Sequence, residues 1–328
     1  MNERVQALRE LSVTTQPHID MERAKSETAT YKKYEGQLSV PELRAQVLYD
    51  YFAAKTLYIG EGELIVGEKG DSPHGAPTFP ELCCHTLEDM HVMNDRELIS
   101  FSVKEEDYGY QEKEIIPFWE KRSTRSKILA NMSDQWKDCY AAGIFTEFME
   151  QRGPGHTVGS FKLYEKGFLD YKADIQASID SLDYFHDTEA FEKRNQLRGM
   201  AKACDAIMLL GARYADYARE LAGKETSDTR KAELLQIAAN CDVVPAHKPQ
   251  TFWQAIQMYW FVHLGVTTEL NPWDAYSPGR FDQHLNPFYQ KDVEEGILDD
   301  KKALELLECL WVKFNNQPAP PKVGITLK

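Results

Sequence analysis

The feature that most constrains the fold is a long stretch without proline, from Ala190 to Ala222. Ala, Leu, Lys, Glu and Arg dominate this stretch, and these residues have high helix propensities. Gly199 and Gly211 lie inside it and would weaken the interior of a helix. We therefore predict one long helix here, in a chain in which helices dominate.

Apolar residues at helical spacing predict three further helices. The first begins near Pro41, which suits a first helical turn, and its stripe is Leu43, Val47 and Tyr51. The second stripe is Trp253, Ile256, Trp260 and Leu264. The third stripe is Leu304, Leu307, Trp311 and Phe314. We interpret all three as core packing rather than as the lining of a cofactor site.

Strand signals are few. They are the short apolar runs 63–66 and 98–103, and the alternation of Val323, Ile325 and Leu327 with small or polar residues. A strand at the end of a chain with few other strands leaves backbone groups that need partners. This leads us to expect further chain or an intermolecular partner. Residues 67–80 and 243–249, rich in glycine and proline, predict tight loops.

Composition excludes several function classes. The net charge of −14 repels phosphate backbones and anionic lipid, so binding to nucleic acid or to a membrane surface is disfavoured. We interpret the basic stretch 121–127 as a solvated face. No apolar run approaches the ~20 residues that span a bilayer, and no secretory signal opens the sequence. The six cysteines form no Cys-x-x-Cys pair, which favours a reducing cytoplasm.

A glycine–proline–glycine motif with a histidine at its tip is the first candidate for chemistry. Gly153, Pro154 and Gly155 would make a rigid loop whose backbone can approach a ligand closely. His156 follows and could transfer a proton near neutral pH. The alternative is a turn whose histidine is merely solvated.

Asp274 is the second candidate, because it lies between the bulky aromatic residues Trp273 and Tyr276. Partial burial there would raise its pKa, so that it could act as a base or hold a ligand ammonium. The alternative is an aspartate that caps a turn. The run Cys83-Cys84-His85 is a poor metal site, since no second ligand pair follows at zinc spacing. Serine nucleophile, P-loop and dinucleotide motifs are absent.

Several stretches read together carry a family resemblance. They are residues 62–73 (GELIVGEKGDSP), 145–156 (FTEFMEQRGPGH), 243–247 (VVPAH), 277–283 (SPGRFDQ) and 311–316 (WVKFNN). Together they resemble the N-terminal portion of glycyl radical enzymes of the pyruvate formate-lyase-like group, and the hydroxyproline dehydratase branch in particular. The resemblance covers the chain from about Arg4 to Lys328.

The resemblance implies a mainly α chain with few β-strands, forming the N-terminal part of a ten-stranded α/β barrel made of two five-stranded half-sheets. Residues 1–328 would then be the N-terminal portion of one pyruvate formate-lyase-like domain. It implies no directly bound cofactor, but a glycyl radical outside this chain, installed by an activating enzyme that uses S-adenosylmethionine and an iron–sulfur cluster. It also implies a homodimer, and anaerobic amino-acid metabolism in the cytoplasm.

The resemblance implies a dehydratase that removes water from trans-4-hydroxy-L-proline to give 1-pyrroline-5-carboxylate. In it, His156 resembles a substrate-contacting histidine, Asp274 resembles an acidic residue typical of this branch, and Phe148 is similar to an aromatic wall of the pocket. A histidine could donate the proton that hydroxide needs in order to leave, and a carboxylate could hold the ring amine. An apolar wall would exclude water.

The cysteine that becomes the thiyl, its neighbouring glutamate and the radical glycine lie beyond Lys328 in relatives. We therefore expect the chain alone not to turn over, and expect it to expose apolar surface and associate. Three alternatives stay open: a glycerol or diol dehydratase, a formate C-acetyltransferase homologue, and a non-catalytic binding module or pseudoenzyme. The adjacent pair Cys83-Cys84 stands too early in the chain to be the cysteine pair of formate-lyases.

Overall fold

The computed structural model describes residues 2–145, 159–271 and 278–318, and helices dominate them, as predicted. The helices are α1 (Glu3–Thr14), α2 (Glu22–Tyr34), α3 (Val40–Ala54), α4 (Leu87–Asp95), α5 (Glu105–Tyr110), α6 (Ile116–Trp119), α7 (Thr124–Asn131), α8 (Asp134–Ala141), α9 (Lys162–Glu165), α10 (Phe168–Asp180), α11 (Ala190–Lys224), α12 (Asp228–Val243), α13 (Phe252–Leu270), α14 (Phe281–Glu294) and α15 (Asp300–Asn315). A π-helical segment, Gln111–Ile115, links α5 to α6. Two short strands, β1 (His18–Asp20) and β2 (Gly75–Pro77), pair in parallel.

The long helix α11 confirms the first prediction, and its interior glycines have a packing role. A Cβ atom on Gly199 would lie 2.8 Å from the carbonyl oxygen of Pro41, at the start of α3. A Cβ atom on Gly211 would lie 2.5 Å from the ring of Pro245, in the loop after α12. Both glycines therefore admit neighbours too close for a side chain, which offsets their weak helix propensity.

Helix α13 lies in the centre of the larger hydrophobic core. Ile256, Trp260 and Leu264 are buried, with Trp253 partly buried, so the predicted stripe is confirmed. A helix that is buried on nearly all sides must be enclosed by other elements. Residues of α3, α11, α12 and α15 enclose it in the same core. A smaller core forms around Ile19 and neighbours from α4 and α6.

The two remaining stripes have different outcomes. Leu43, Val47 and Tyr51 of α3 are buried, as predicted. The α15 prediction is partly wrong, because Leu304 and Trp311 are 55% and 53% exposed. The buried face of α15 instead carries Ala303, Leu306, Leu310 and Lys313. The helix turns Lys313 into the core, where two buried carboxylates need a cation.

The strand prediction for residues 63–66 is wrong, because side chains of α13 take the place of a partner strand. Gln257 donates to the carbonyl oxygen of Val66 at 2.8 Å and accepts from its N–H at 2.9 Å. The indole N–H groups of Trp253 and Trp260 donate to the carbonyl oxygens of Leu64 and Gly67. The backbone of this irregular, buried segment is thus satisfied without a sheet.

The other strand signals leave little regular sheet. In residues 98–103 the structure shows one isolated bridge, between Ser102 and His18. The alternating stretch 323–327 lies outside the described residues. Residues 67–80 form a loop, as predicted; the structure shows that it is largely buried and contributes β2. The basic stretch 121–127 is largely at the surface, where Arg122 pairs with Glu35 at 2.8 Å.

An open cavity of about 610 Å³ lies between α3, α10, α11 and α13. We call it the apolar groove; its lining includes Phe168, Tyr171, Ile175, Met200, Val262 and Val266. Met200 on its wall is 47% exposed. The exposed apolar surface that the sequence analysis expects lies, at least in part, in this groove. Among the described helices, none combines the length and the apolarity needed to cross a membrane.

Candidate functional site

The three predicted site residues lie outside the described residues, in segments 146–158 and 272–277. They are Phe148, His156 and Asp274, and their roles stay predictions. The structure does describe the end of α13, which precedes segment 272–277 in the sequence. The contacts of this helix end decide how firmly Asn271, the last described residue before that segment, is held.

Two cations meet the C-terminal end of α13. Arg23 Nε donates to the carbonyl oxygen of Thr268 at 3.2 Å. Lys69 Nζ donates to Asn271 Oδ1 at 3.0 Å. The C-terminal end of a helix carries partial negative charge, which attracts cations. Asn271 follows the last helical residue and has a left-handed backbone, φ +43°, a conformation that asparagine tolerates.

Arg23 is fully buried and paired. Its guanidinium binds Glu27 at 2.6 Å and Glu81 at 2.8 Å, and lies 3.9 Å from the ring centroid of Phe79. Burial by itself would lower the pKa of Arg23, but the two carboxylates raise that pKa above its ordinary value. Arg23 therefore stays charged and fixes α2 against the end of α13.

Lys69 has a different environment. Its ammonium is 5.3 Å from the centroid of the same Phe79 ring, and no carboxylate in the described part of the chain pairs with it. Burial lowers the pKa of Lys69 to about 7, and the positive charge of Arg23 acts in the same direction. Lys69 is therefore a buried amine that can change its protonation state near neutral pH.

A second buried cluster joins α15 to the same loop. Lys313 Nζ lies 2.5 Å from Glu63 Oε1 and 2.7 Å from Glu68 Oε1. Asn316 donates to Glu68 Oε1 at 3.2 Å. Burial and the charge of Glu63 raise the pKa of Glu68, while Lys313 opposes them. The pKa of Lys313 is raised, because the two carboxylates outweigh the effect of burial.

These groups form one unit, which we call the polar junction. Its members are Arg23, Glu63, Glu68, Lys69, Asn271, Lys313 and Asn316. The adjacent residues Glu68 and Lys69 reach the ends of two different helices, α15 and α13. The segments that follow these ends include 272–277, which contains the candidate Asp274. The junction thus fixes Asn271, the last described residue before that segment.

A separate cluster near β1 resembles a catalytic triad in composition only. Asp71 Oδ1 lies 2.7 Å from His18 Nε2, and Ser72 Oγ lies 3.5 Å from the same nitrogen. A nucleophile, a base and an orienting acid need both ring nitrogens of the histidine. Burial alone would raise the pKa of Asp71, but the hydrogen bond and charge of His18 lower it to about 2. We interpret the cluster as structural.

Sequence reasoning missed the polar junction, although all its members except Arg23 and Asn271 lie inside the motifs that carry the resemblance. Glu68 and Lys69 belong to residues 62–73, and Lys313 and Asn316 belong to residues 311–316. The available signal was a charged pair directly after an apolar run, and a lysine within an apolar helical stripe. Among the described residues, no three His, Cys, Asp or Glu side chains converge as a metal site would require.

The chain is similar to known proteins over nearly its whole length. The chain is 61% identical over 326 residues to trans-4-hydroxy-L-proline dehydratase of Clostridioides difficile, covering 99% of this chain and 41% of that protein. The crystal structure of that dehydratase with trans-4-hydroxy-L-proline bound superposes with a TM-score of 0.95, covering 100% of this chain and 41% of the other.

A glycyl radical enzyme from Archaeoglobus fulgidus, 29% identical, has a TM-score of 0.87 and covers 98% of this chain and 41% of its own. The predicted fold class, mainly α and similar to the N-terminal part of glycyl radical enzymes, is thereby confirmed. The chain spans about 41% of the length of the dehydratase it matches. The family model for pyruvate formate lyase-like proteins matches residues 1–328, and the chain belongs to that family.

Proposed function

We propose that this chain supplies the N-terminal part of a glycyl radical dehydratase that converts trans-4-hydroxy-L-proline into 1-pyrroline-5-carboxylate and water. One observation carries the proposal: the chain superposes along its whole length on a dehydratase that holds this substrate, at 61% identity and a TM-score of 0.95. A likeness of this extent supports a shared substrate class beyond a shared fold. The conversion is an elimination that needs no external oxidant or reductant.

The proposed roles of the site residues follow from the chemistry of the elimination. Hydroxide is a poor leaving group, so a proton donor such as His156 assists its departure. The carboxylate of Asp274 holds the ring amine or accepts a proton. Phe148 provides an apolar wall that keeps water out. The radical of the family, stored on a glycine and passed to a cysteine thiol, would supply the hydrogen abstraction that starts the reaction.

The polar junction supports the proposed role of Asp274, because it holds residues that shortly precede Asp274 in the sequence. Catalytic groups act efficiently only when their supports hold them within a narrow range of positions. Arg23 holds the last turn of α13, and Lys69 holds Asn271, which lies three residues before Asp274. Charged and hydrogen-bonded contacts of this kind define one position more strictly than apolar packing does.

The partners in this proposal are a small-molecule substrate, a radical S-adenosylmethionine activating enzyme and a second copy of the full-length protein. We place the reaction in the cytoplasm of an anaerobic cell, in amino-acid metabolism. The remaining part of the barrel carries the thiyl cysteine and the radical glycine, so turnover requires that part as well.

A chimera tests the proposal. This chain replaces the matching part of the Clostridioides difficile dehydratase, and the product is activated and assayed without oxygen. We expect dehydration of trans-4-hydroxy-L-proline, and a loss of about 100-fold or more for His156→Gln because the leaving group lacks its acid. Asp274→Asn should weaken turnover of the amine-bearing substrate far more than turnover of an amine-free diol.

The controls separate folding from function. Leu304→Gln, on an exposed position of α15, should leave turnover unchanged. A chimera that folds and takes up the radical but dehydrates only 1,2-propanediol or glycerol would replace the proposal with the diol alternative. Equal effects of Asp274→Asn on both kinds of substrate would remove the assigned role of Asp274.

A further inference from the structure

The hydrogen bond from Lys69 to Asn271 holds a residue with an unfavourable backbone conformation directly after the end of α13. Asn271 is buried and left-handed, directly after α13 and directly before residues 272–277. For residues other than glycine this backbone conformation is unfavourable, although asparagine adopts it more readily than most. Its side-chain oxygen accepts the hydrogen bond of Lys69, which is itself 4% exposed. The bond therefore fixes both the position of Asn271 and its left-handed backbone conformation.

A neutral donor could satisfy Asn271, so the choice of a lysine requires a reason. Burying an ammonium is costly unless its charge acts on something nearby. Arg23 of α2 adds a like charge, and Glu27 and Glu81 are bound to Arg23. Among the described residues, the carbonyl end of α13 and the ring of Phe79 face the charge of Lys69 favourably. Lys69 thus interacts electrostatically with the C-terminal end of α13 and also donates a hydrogen bond to Asn271.

The neighbouring residue makes the same kind of contact with another helix end. Glu68 accepts from Asn316 at 3.2 Å, directly after α15, and binds Lys313 of the last turn of that helix. Two consecutive residues of one buried loop therefore hold the ends of α13 and α15. Because the loop is a single short piece of backbone, the two ends cannot shift independently of each other.

We propose that Lys69 is a positioning residue for the substrate pocket: with Glu68 it forms a two-armed clamp that fixes Asn271, the last described residue before segment 272–277. The part that concerns the pocket rests on the proposed function. The clamp itself concerns described residues only. Lys69 touches neither the substrate nor the reacting atoms in this scheme, and it acts through Asn271.

Hydrogen exchange of the 328-residue chain, read by mass spectrometry, tests the clamp. In Lys69→Met we expect exchange of amides 268–271 to rise about tenfold or more, because the helix end opens locally. Lys55→Met is the matched control: Lys55 is equally buried, but it donates to the carbonyl oxygen of Gly70, and no hydrogen bond or ion pair among the described residues joins it to α13. It should leave these amides unchanged, and Lys69→Arg should restore most of the protection.

Asn271→Gly is a second variant that tests the clamp. Glycine adopts the left-handed conformation without strain, so Lys69→Met should add little exchange in the Asn271→Gly background. Equal exchange at 268–271 in Lys69→Met and Lys55→Met, or full additivity with Asn271→Gly, would overturn the clamp.

The chimera supplies the functional readout. There, Lys69→Met should raise KM for trans-4-hydroxy-L-proline about tenfold, with a much smaller change in kcat. An unchanged KM in an active chimera would overturn the role in the pocket. An inactive wild-type chimera would count against the proposed function alone, since the exchange result judges the clamp separately.

Discussion

The polar junction and the apolar groove both touch the C-terminal half of α13, yet they hold it in opposite ways. In the junction each charged side chain has named partners at fixed distances, such as Lys313 with Glu63 and Glu68. In the groove, side chains such as Val262 and Val266 line open space with interchangeable apolar surface. The junction defines a position, whereas the groove offers area to be covered.

The difference has an energetic consequence. Removing one partner of a buried ion pair leaves the other charge in a place where water cannot reach it, and the loss is large. Changing one apolar side chain at a half-exposed wall loses little, because that side chain was never fully removed from water. Substitutions in the two regions should therefore differ in size and in kind.

The largest expected effect comes from Lys313→Met. It leaves the carboxylates of Glu63 and Glu68 buried side by side, and should lower the free energy of unfolding by about 3–5 kcal/mol. Urea denaturation measures this. The matched control is Lys32→Met, whose exposed pair with Glu114 should contribute at most about 0.5 kcal/mol. Adding Glu68→Gln to Lys313→Met should regain part of the loss, and no regain would contradict the charge argument.

A medium effect is expected in the pH dependence of stability. The folded state lowers the pKa of Lys69 to about 7, below its value in the unfolded chain. Between these two pKa values the unfolded chain binds more protons, so the stability contribution of Lys69 rises with pH. Relative to Lys69→Met, the wild type should gain roughly 1 kcal/mol per pH unit from pH 7 to pH 9.

Urea unfolding of both proteins at each pH checks this slope. Lys69→Arg keeps its charge throughout this range and should show no such gain. Parallel curves for wild type and Lys69→Met would show that Lys69 does not titrate in this window.

The smallest expected effect on stability belongs to the groove. Met200→Glu, on the half-exposed wall, should change the free energy of unfolding by no more than about 0.5 kcal/mol. The same variant should reduce self-association of the chain, because a charge interrupts the apolar surface. Sedimentation velocity at several concentrations measures this. A wild-type chain that stays monomeric at every concentration would show that the groove does not drive self-association.

Regular helices were predictable from sequence because their signals are local. The stripe that contains Trp260 and the proline-free stretch of α11 each predict a helix without reference to any other segment. The irregular buried loop was not predictable in this way. Its backbone pairs with Gln257, Trp253 and Trp260, so its conformation depends on a helix far along the chain.

The same reason explains the outcome at the site. Lys313 binds Glu63 and Arg23 binds Thr268, and the two residues of each pair lie far apart in the sequence. No local sequence pattern therefore reveals the polar junction. The stripe on α15 predicted the buried face only in part, because Lys313 lies in the core beside the carboxylates of Glu63 and Glu68, whereas Leu304 and Trp311 are exposed. The resemblance, in contrast, gave the family and the fold, which the comparisons confirm. The roles of Phe148, His156 and Asp274 stay predictions.

The most direct test of the central claim is a competition assay with the activated chimera. It receives trans-4-hydroxy-L-proline and 1,2-propanediol at equal concentration, and the two products are measured over time. We predict that kcat/KM favours hydroxyproline by about 100-fold or more, because a pocket built around the ring amine leaves its carboxylate unpaired when a diol binds. Equal consumption of both substrates, or a preference for the diol, would contradict the claim.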